Sequence, residues 1–142
     1  MPENLKMHYE VPGDDYTRAG EASAQLKNVM RKLGISPDII RRVSIAMYEG
    51  EINMVIHANG GVIEVEIDSA CISISLIDAG PGIEEIDLAM KEGYSTATDK
   101  VRAMGFGAGM GLPNMKKNSD YMKIDSIQGA GTTVYIKIAI GE

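Results

Sequence analysis

Glutamate, asparagine and histidine side chains recur at four-residue spacing in a stretch that is otherwise largely apolar. Glu49, Asn53 and His57 therefore fall on one face of a predicted helix, with isoleucines beside them. A carboxylate and a carboxamide on a part-buried face need polar partners, which local hydrogen bonds and water could supply. A bound metal is the other interpretation. Zinc is disfavoured because Asn is a poor zinc ligand and HExxH is absent, whereas Mg²⁺ usually takes only one or two protein oxygens and would suit Asn53.

A second candidate site follows an apolar, strand-like run at DAGPG (78–82). Gly80 and Gly82 allow the backbone of this turn to approach a ligand closely. The Asp78 carboxylate could accept a hydrogen bond from an exocyclic amine. A turn that an aspartate starts at the end of a strand is the plainer interpretation of the same residues.

A third candidate site is a loop with glycine at every second position. Gly105, Gly107, Gly109 and Gly111 alternate with other residues, and a predicted helix begins at about Gly111, just before Leu112. The amides of such a loop and a helix N-terminus suit a phosphate group. The loop is not a P-loop, because GxxxxGK[ST] is absent, and it does not open a βαβ unit. Residues 93–111 are predicted to form a lid, since long irregular segments in compact domains are usually lids or binding loops.

Hydrophobic periodicity predicts an alternation of helices and paired strands. Short turns at 68–70 and 129–131 join two predicted hairpins, and Ser36 and Pro37 are typical of a helix start. Because the strands come in sequential pairs, we expect a largely antiparallel sheet with helices on one face, and no Rossmann fold. The predicted helices are 15–33, 37–57, 83–92 and 111–119, and the predicted strands are 5–11, 62–67, 72–77, 121–128 and 132–140.

Composition narrows the class of protein further. The 142 residues, 44% hydrophobic and 24% charged, fit one domain over residues 1–142. The single cysteine, Cys71, excludes an intramolecular disulfide and a zinc site of paired cysteines. The net charge of -6 argues against direct nucleic-acid binding. No apolar run approaches the roughly 20 residues of a membrane span, and residues 1–20 are too polar for a signal peptide, so we expect a cytoplasmic protein with no membrane contact.

Four motifs in this order resemble those of the GHKL ATPase superfamily, which has the Bergerat nucleotide-binding fold. They read YEGEIN (48–53), DAGPGI (78–83), GFGAGMGL (105–112) and GAGTTV (129–134). EGYST (92–96) and the final GTTVYIKI add a likeness to the small serine-protein kinases of bacterial partner-switching systems, which include anti-sigma factor kinases and RsbT-type kinases. The resemblance covers about residues 5–140. It implies an α+β, two-layer α/β sandwich with a mixed, mostly antiparallel sheet and helices on one face.

The resemblance also implies roles for individual residues. Asn53 is expected to hold Mg²⁺ against the triphosphate of ATP, and Glu49 to act as the general base. Asp78 is expected to bind the adenine amino group, with either Thr132 or Thr133 supporting that contact through water. The remaining expected contacts are Gly80 and Gly82 around adenine, and Gly105, Gly107, Gly109, Gly111 and Leu112 over the phosphates.

The resulting hypothesis is an ATP-dependent protein serine kinase whose substrate is a serine of a STAS-type anti-anti-sigma or scaffold protein. The alternative is a nucleotide-dependent module that binds a sigma factor or other regulator with little or no kinase activity. Glu49 favours the kinase, because a pure binding module has no need of a base. A histidine-kinase catalytic domain is disfavoured, because no dimerisation helix with an acceptor histidine precedes the domain. The resemblance also allows for a homodimer.

A partner surface is predicted at the start of the first helix. Asp15, Tyr16 and Arg18 belong to a stretch that resembles an F/Y-x-R segment with which anti-sigma kinases contact their partners. An ordinary exposed arginine is the plainer interpretation. Two further expectations concern the γ-phosphate end of the site. Gly50 has no side chain that would block a substrate hydroxyl from Glu49, and Arg102 reaches the phosphates from the lid.

Overall fold

The computed structural model describes residues 4–13, 18–58, 60–80, 111–127 and 129–140. Helices and strands alternate in these ranges much as the periodicity predicts. In chain order they are strand β1 (Leu5–Pro12), helix α1 (Glu21–Lys32), helix α2 (Pro37–His57), strands β2 (Gly60–Ile67) and β3 (Cys71–Asp78), helix α3 (Gly111–Lys117), and strands β4 (Tyr121–Ile127) and β5 (Gly131–Ala139).

The strands form a five-stranded sheet in the order β1-β2-β3-β5-β4. Each neighbouring pair is antiparallel, so within the described residues the expected mixed sheet is wholly antiparallel. Both predicted hairpins, β2–β3 and β4–β5, are confirmed. β5 lies between β3 and β4. As a result, Asp78 at the end of β3 pairs with Thr132 at the start of β5.

The hydrophobic core lies between one face of the sheet and the helices. Alternate strand residues are buried, whereas the residues between them are mostly polar and more exposed. The helices that the structure describes therefore pack on one face of the sheet, as in an α+β sandwich. The strand residues in this core include Ile63, Val65, Ile67, Ile72, Ile74, Leu76, Val134, Ile136 and Ile138, and the helices contribute Leu26, Met30, Val43, Met47 and Met115.

Helix α2 crosses this core and begins as its sequence predicts. Ser36 is the N-cap residue, and its hydroxyl oxygen accepts a hydrogen bond from the Ile39 amide at 3.4 Å. Pro37 occupies the first helical position, where a missing N–H costs nothing. The helix runs for 21 residues to His57, which places Glu49 and Asn53 in its C-terminal half.

Helix α1 begins later than its apolar spacing predicts. The expected helix spans 15–33, but α1 starts at Glu21, and Ala19 lies in a turn before it. Gly20, the N-cap residue, has a left-handed φ of 93° that ends the helix on this side. Residues 14–17 lie outside the described part. The predicted C-terminal end is confirmed: Leu33 is the C-cap, and Gly34 follows with a φ of 73°.

The other boundaries agree within one or two residues. α3 ends at Lys117 instead of residue 119, and the side chains of Asn118 and Ser119 bond back to the carbonyls of Asn114 and Met115. The predicted helix 83–92 and all of the predicted lid except Gly111 lie outside the described residues. Among the helices that the structure describes, none combines the length and the apolar character needed to cross a bilayer.

Candidate functional site

The polar stripe of α2 faces the start of α3. Asn53 lies against Gly111, the first residue of α3: a β-carbon on Gly111 would come within 2.7 Å of Nδ2 of Asn53. One turn earlier on α2, Glu49 accepts a hydrogen bond from the Asn114 side chain. Glu49 and Asn53 lie about 5–6 Å apart at their β-carbons, as residues one turn apart do. The structure therefore brings both residues together beside the glycine that ends the glycine-rich motif.

The carboxyl group of Glu49 lies in a partly buried environment. Burial raises its pKa above the usual range, because desolvation disfavours the charged form, and the hydrogen bond from Asn114 lowers the pKa in the opposite sense. A base with a raised pKa is a better proton acceptor once ionised. The neighbouring Tyr48 also has a raised pKa, from burial first and then from the negative charges of Glu49 and Glu51. The C-terminal half of α2 thus carries two ionisable side chains, those of Tyr48 and Glu49, whose pKa values are both raised by burial.

The third residue of the polar stripe, His57, and the candidate metal ligand, Asn53, lie in the last part of α2. His57 is the last residue of α2, but its side chain lies outside what the structure describes. Within the described ranges, no three His, Cys, Asp or Glu side chains cluster as a metal site. Mg²⁺ commonly takes only one or two ligands from protein and the others from phosphate and water, so Asn53 fits such an ion without a carboxylate cluster. Asn53 is partly exposed.

Asp78 and Thr132 form the second part of the site. The Thr132 amide donates to Oδ1 of Asp78 at 3.1 Å, and the Gly80 amide donates to the same oxygen at 2.9 Å. Among the described residues, these two amides are the hydrogen-bond donors to the Asp78 carboxylate. The Thr132 hydroxyl lies 2.8 Å from the Ser126 hydroxyl and is buried among polar neighbours.

The same geometry separates the two threonines. Thr132 lies on the face of β5 that packs toward the helices, together with Val134 and Ile136. Thr133 lies on the opposite face and pairs with Ile77 and Asp125 across the neighbouring strands. Of the two candidates, Thr132 is therefore the one beside Asp78.

Three glycines pack closely around the Asp78 turn. A β-carbon on Gly131 would lie 2.2 Å from the Asp78 carbonyl oxygen, and one on Gly61 would lie 2.3 Å from the Ile77 carbonyl oxygen. Gly80 approaches Ala58, which follows α2, to 2.7 Å by the same measure. Contacts this close exclude any side chain. The end of α2 and the Asp78 turn are therefore in direct contact, which joins the two parts of the site.

Most of the other candidate residues from the sequence lie outside the described part of the chain, and two, Leu112 and Arg18, lie within it. Gly82, Gly105, Gly107 and Gly109, and likewise Arg102, Asp15 and Tyr16, lie outside the described residues. Leu112 is 7% exposed and belongs to the hydrophobic core. Arg18 is described: it is exposed before α1, and its Nε lies 3.3 Å from Oε2 of Glu21.

The role expected for Gly50 is wrong. A β-carbon on Gly50 would lie 2.4 Å from Cδ2 of Leu76 and 2.9 Å from Cε of Met115. Both atoms belong to the core, so Gly50 faces inward and away from any route to Glu49. The glycine is required because β3 and α3 both pack against the backbone of α2 at this point.

Two polar residues of the site were not predicted from the sequence. Asn114 follows the glycine-rich motif without a spacing signal, and only the packing of α3 on α2 brings it to Glu49. Glu51 is 2% exposed and accepts hydrogen bonds from the start of α1. The glycine at the N-cap of α1, which lacks a capping side chain, is recognised as an N-cap only once the structure places the start of α1.

The fold is a two-layer α+β nucleotide-binding fold of the Bergerat type. Helices cover one face of an antiparallel sheet, the long helix carries Glu49 and Asn53, and Asp78 lies in a turn at the end of the sheet. A sequence profile of the family described as "Histidine kinase-, DNA gyrase B-, and HSP90-like ATPase" matches residues 34–142. The chain belongs to this ATPase family.

Two characterised proteins illustrate its sequence relationships. The chain is 37% identical over 106 residues to an anti-sigma F factor of Clostridium beijerinckii. That alignment covers 70% of this chain and 71% of that protein. It is 32% identical over 118 residues to the serine/threonine-protein kinase RsbT of Bacillus subtilis, with 80% of this chain and 83% of that protein covered.

Solved structures share the fold at lower sequence identity. The RsbU and RsbW domains of Rv1364c from Mycobacterium tuberculosis superimpose with a TM-score of 0.62 at 17% identity, over 94% of this chain and 32% of that chain. The mycobacterial sensor histidine kinase MprB gives a TM-score of 0.54 at 17% identity, over 96% of this chain and 99% of that chain. At these identities the likeness concerns the fold alone.

Proposed function

We propose that the chain is an ATP-dependent protein serine kinase of a bacterial partner-switching system, which transfers the γ-phosphate of ATP to a serine of a STAS-domain protein. The observation that carries the proposal is the Glu49 carboxyl: partly buried, with a raised pKa, hydrogen-bonded by Asn114 and one helical turn from Asn53. An ATP-binding domain that only binds has no use for a tuned base at this position. The relatives named as a serine/threonine-protein kinase and an anti-sigma factor support the same function.

The adenine end of the proposed site is the turn at Asp78. Oδ1 of Asp78 already accepts two backbone amides, which orients the carboxylate and directs Oδ2 to the adenine amino group. Thr132 lies beside it and supports the contact through water. Gly80 and Gly82 allow the ring to approach the backbone. We also propose that the glycines from Gly105 to Gly111 cover the phosphates, as part of a lid over 93–111 in one domain spanning the chain.

The phosphate end is Asn53 with Gly111. The Asn53 amide oxygen is of the ligand type that Mg²⁺ prefers, and Gly111 leaves room at that amide which a side chain would fill. Bound Mg²⁺ would neutralise charge on the phosphates. Asn53 would hold and orient the triphosphate, so that its γ-phosphorus lies within reach of Glu49.

In the proposed transfer, the Glu49 carboxylate accepts the proton of the substrate serine hydroxyl. The serine oxygen forms a bond to the γ-phosphorus, and the bond between that phosphorus and the β,γ-bridging oxygen breaks, so ADP leaves with the electron pair. Most of the rate enhancement comes from positioning the γ-phosphate and the serine hydroxyl. Removal of the serine proton by Glu49 contributes about 10²–10⁴-fold. Because the reaction consumes ATP, we propose that it takes place in the cytoplasm.

A second candidate function is a nucleotide-dependent module that binds a sigma factor or another regulator without phosphorylating it. The identity to an anti-sigma F factor favours partner binding in addition to catalysis. We propose that the partner surface includes Arg18, which is exposed beside the start of α1. Both functions need ATP, and only the kinase needs Glu49.

The test compares Glu49→Gln with Glu64→Gln, an exposed glutamate on β2 that pairs with His8. Candidate STAS proteins from the same organism are incubated with labelled ATP, and single-turnover transfer is measured. We expect Glu49→Gln to slow transfer by at least about 10–100-fold with ATP affinity nearly unchanged. Glu64→Gln should behave as wild type. Wild-type transfer by Glu49→Gln would show that Glu49 is not the base, and partner binding without any transfer would favour the second function.

A further inference from the structure

Glu51 makes an unusual set of contacts for a glutamate inside a helix. Its carboxylate is 2% exposed and points to the start of α1. Oε2 accepts the amides of Gly20 at 3.0 Å and Ala22 at 3.1 Å. Oε1 accepts the amide of Ser23 at 3.0 Å and its hydroxyl at 2.7 Å.

These contacts replace a local helix cap. The N-cap residue of α1 is Gly20, which has no side chain to accept the free amides of the first turn. The carboxylate that satisfies them comes from α2, 29 residues along the chain from Ala22. The start of α1 is therefore held from α2, in addition to the local bond from the Glu21 amide to the Arg18 carbonyl oxygen at 3.1 Å.

A second contact fixes the same point. A β-carbon on Gly20 would lie 2.7 Å from Cε1 of Tyr48, so the tyrosine ring packs directly on this glycine. Tyr48 and Glu51 are three residues apart and share one face of α2. Glu49 lies between them in sequence, on the neighbouring face toward α3. The residue that we propose as the base is thus flanked by the two residues that hold α1.

We propose that Glu51 is a positioning residue for the protein substrate. It holds the start of α1, with Arg18 two residues before Gly20, in a fixed relation to Glu49. A partner that docks at the start of α1 then presents its serine to the carboxyl of Glu49. This inference rests on the proposed function, and it predicts a defect in the use of the protein substrate and none in the use of ATP.

The test uses Glu51→Gln and a matched control. Gln keeps the length of the side chain but turns one acceptor oxygen into a donor that faces backbone amides. The control is Ser36→Ala, which removes the cap of α2 at the end of that helix remote from Glu49. Ser23→Ala is a milder variant that loses one of the four hydrogen bonds and keeps the carboxylate, in case Glu51→Gln does not fold.

The readouts separate positioning from stability. For Glu51→Gln, we expect kcat/KM for the STAS protein to fall at least about tenfold while KM for ATP stays within about twofold. Ser23→Ala should show a smaller loss of the same kind. Ser36→Ala should lower the melting temperature with kcat/KM unchanged. Equal kcat/KM for Glu51→Gln and Ser36→Ala would overturn the proposal.

Hydrogen exchange on the protein alone tests the role of Glu51 independently of the proposed kinase function. Amide hydrogen exchange at Gly20, Ala22 and Ser23 should be at least about tenfold faster in Glu51→Gln, whereas exchange in the middle of α2 should not change. Wild-type protection at these amides would overturn the inference even if the kinase reaction is demonstrated. If wild type binds a STAS protein without phosphorylating it, a weaker partner affinity of Glu51→Gln supports the positioning role, although the proposed kinase function fails.

Discussion

Asp78 and Thr132 pair across β3 and β5, and the Thr132 amide donates to Oδ1 of Asp78 at 3.1 Å. The bond joins the ends of two strands that are separated by 54 residues. Together with the Gly80 amide, it holds Oδ1 of Asp78 against the backbone of the turn. The proposed adenine contact is therefore built by strand pairing.

Asp78→Asn should weaken ATP binding, because Oδ2 either loses its charge or becomes a donor that opposes the adenine amino group. The expected loss of affinity is about tenfold or more, as for a hydrogen bond to a charged group. Calorimetric titration with ATP measures it. Asp68→Asn is the matched control, since Asp68 lies in the turn before β3, and its carboxylate accepts hydrogen bonds from Ala70 and Cys71 of that same turn. Equal ATP affinity for both variants would contradict the assignment of Asp78.

Asn53→Ala should abolish the dependence of ATP affinity on Mg²⁺, because it removes the proposed protein ligand. Gly111→Ala should produce part of the same defect, since the new β-carbon would lie 2.7 Å from the Asn53 amide and displace it. Titrations of ATP with Mg²⁺ and with a chelator measure the effect. Asn28→Ala on the exposed side of α1 serves as the control. A normal response of Asn53→Ala to Mg²⁺ would exclude it as the ligand.

The pH dependence of transfer should shift when Asn114 is replaced. Burial raises the pKa of Glu49, and the Asn114 hydrogen bond lowers it by stabilising the carboxylate. In Asn114→Ala the pKa of Glu49 should rise further. The acid limb of the kcat/KM profile, below which the base is protonated, should therefore move to higher pH. Single-turnover rates across a pH series test this, and Glu49→Gln should lack that limb. An unshifted limb would mean that another group titrates there.

Arg18→Ala should weaken binding of the STAS protein by about tenfold while ATP affinity stays constant, because interface arginines commonly contribute this much. Arg31→Ala, at the opposite end of α1, is the matched control and is also exposed. Partner affinity is measured at two salt concentrations. If Arg18 contacts the partner, the wild-type affinity should fall more steeply with salt than that of the variant. Identical affinities for the two arginine variants would place the partner surface elsewhere.

Stability should depend on pH through Asp120. The Ala139 amide donates to Oδ2 at 2.7 Å and Arg42 to Oδ1 at 3.0 Å, and these bonds lower the pKa of Asp120 below its usual value. The stabilisation is therefore complete above the pKa of an unfolded aspartate, about 3.9, and is lost as pH falls through the folded pKa. Asp120→Asn should lower the melting temperature by about 1–3 °C at pH 7, because solvent screens the part-exposed carboxylate and reduces the loss to about 0.5 kcal/mol.

The difference in melting temperature between wild type and Asp120→Asn should shrink as the solution is acidified below the ordinary aspartate range. Asp125→Asn is the control, because Asp125 is exposed on β4 and its nearest cation lies 3.8 Å away. A difference between wild type and Asp120→Asn that stays constant with pH would show that the carboxylate charge contributes nothing.

Periodicity and local turn chemistry were sufficient to predict most of the fold. Ser36 and Pro37 mark the start of α2, and the alternation of apolar residues locates β2, β3 and β5 because each has one buried face. The same alternation could have chosen between the two threonines, since Thr132 shares its parity along β5 with Val134. That choice required no tertiary information, only the two-residue period of a strand.

What could not be predicted depends on distant residues. α1 starts at Glu21 because Glu51 supplies its cap from another helix, and no local pattern encodes a partner so far along the chain. Gly50 is glycine because Leu76 and Met115 pack on it, a reason that only the assembled core shows. Asn114 reaches Glu49 through the packing of α3 on α2. Motif order put Glu49, Asn53 and Asp78 forward as candidate site residues, and the structure shows which residues neighbour them.

The pairing of Asp78 with Thr132 has a consequence for the order in which the chain folds. Glu49 and Asn53 belong to one continuous helix, whose backbone hydrogen bonds join residues only four apart along the chain. The adenine contact instead needs β3 and β5 to meet across more than fifty residues, a slow, high-contact-order event. A chain still emerging from the ribosome thus carries the proposed base long before it can hold ATP. Nucleotide can stabilise only the completed sheet, and it offers no help to the intermediates that precede it.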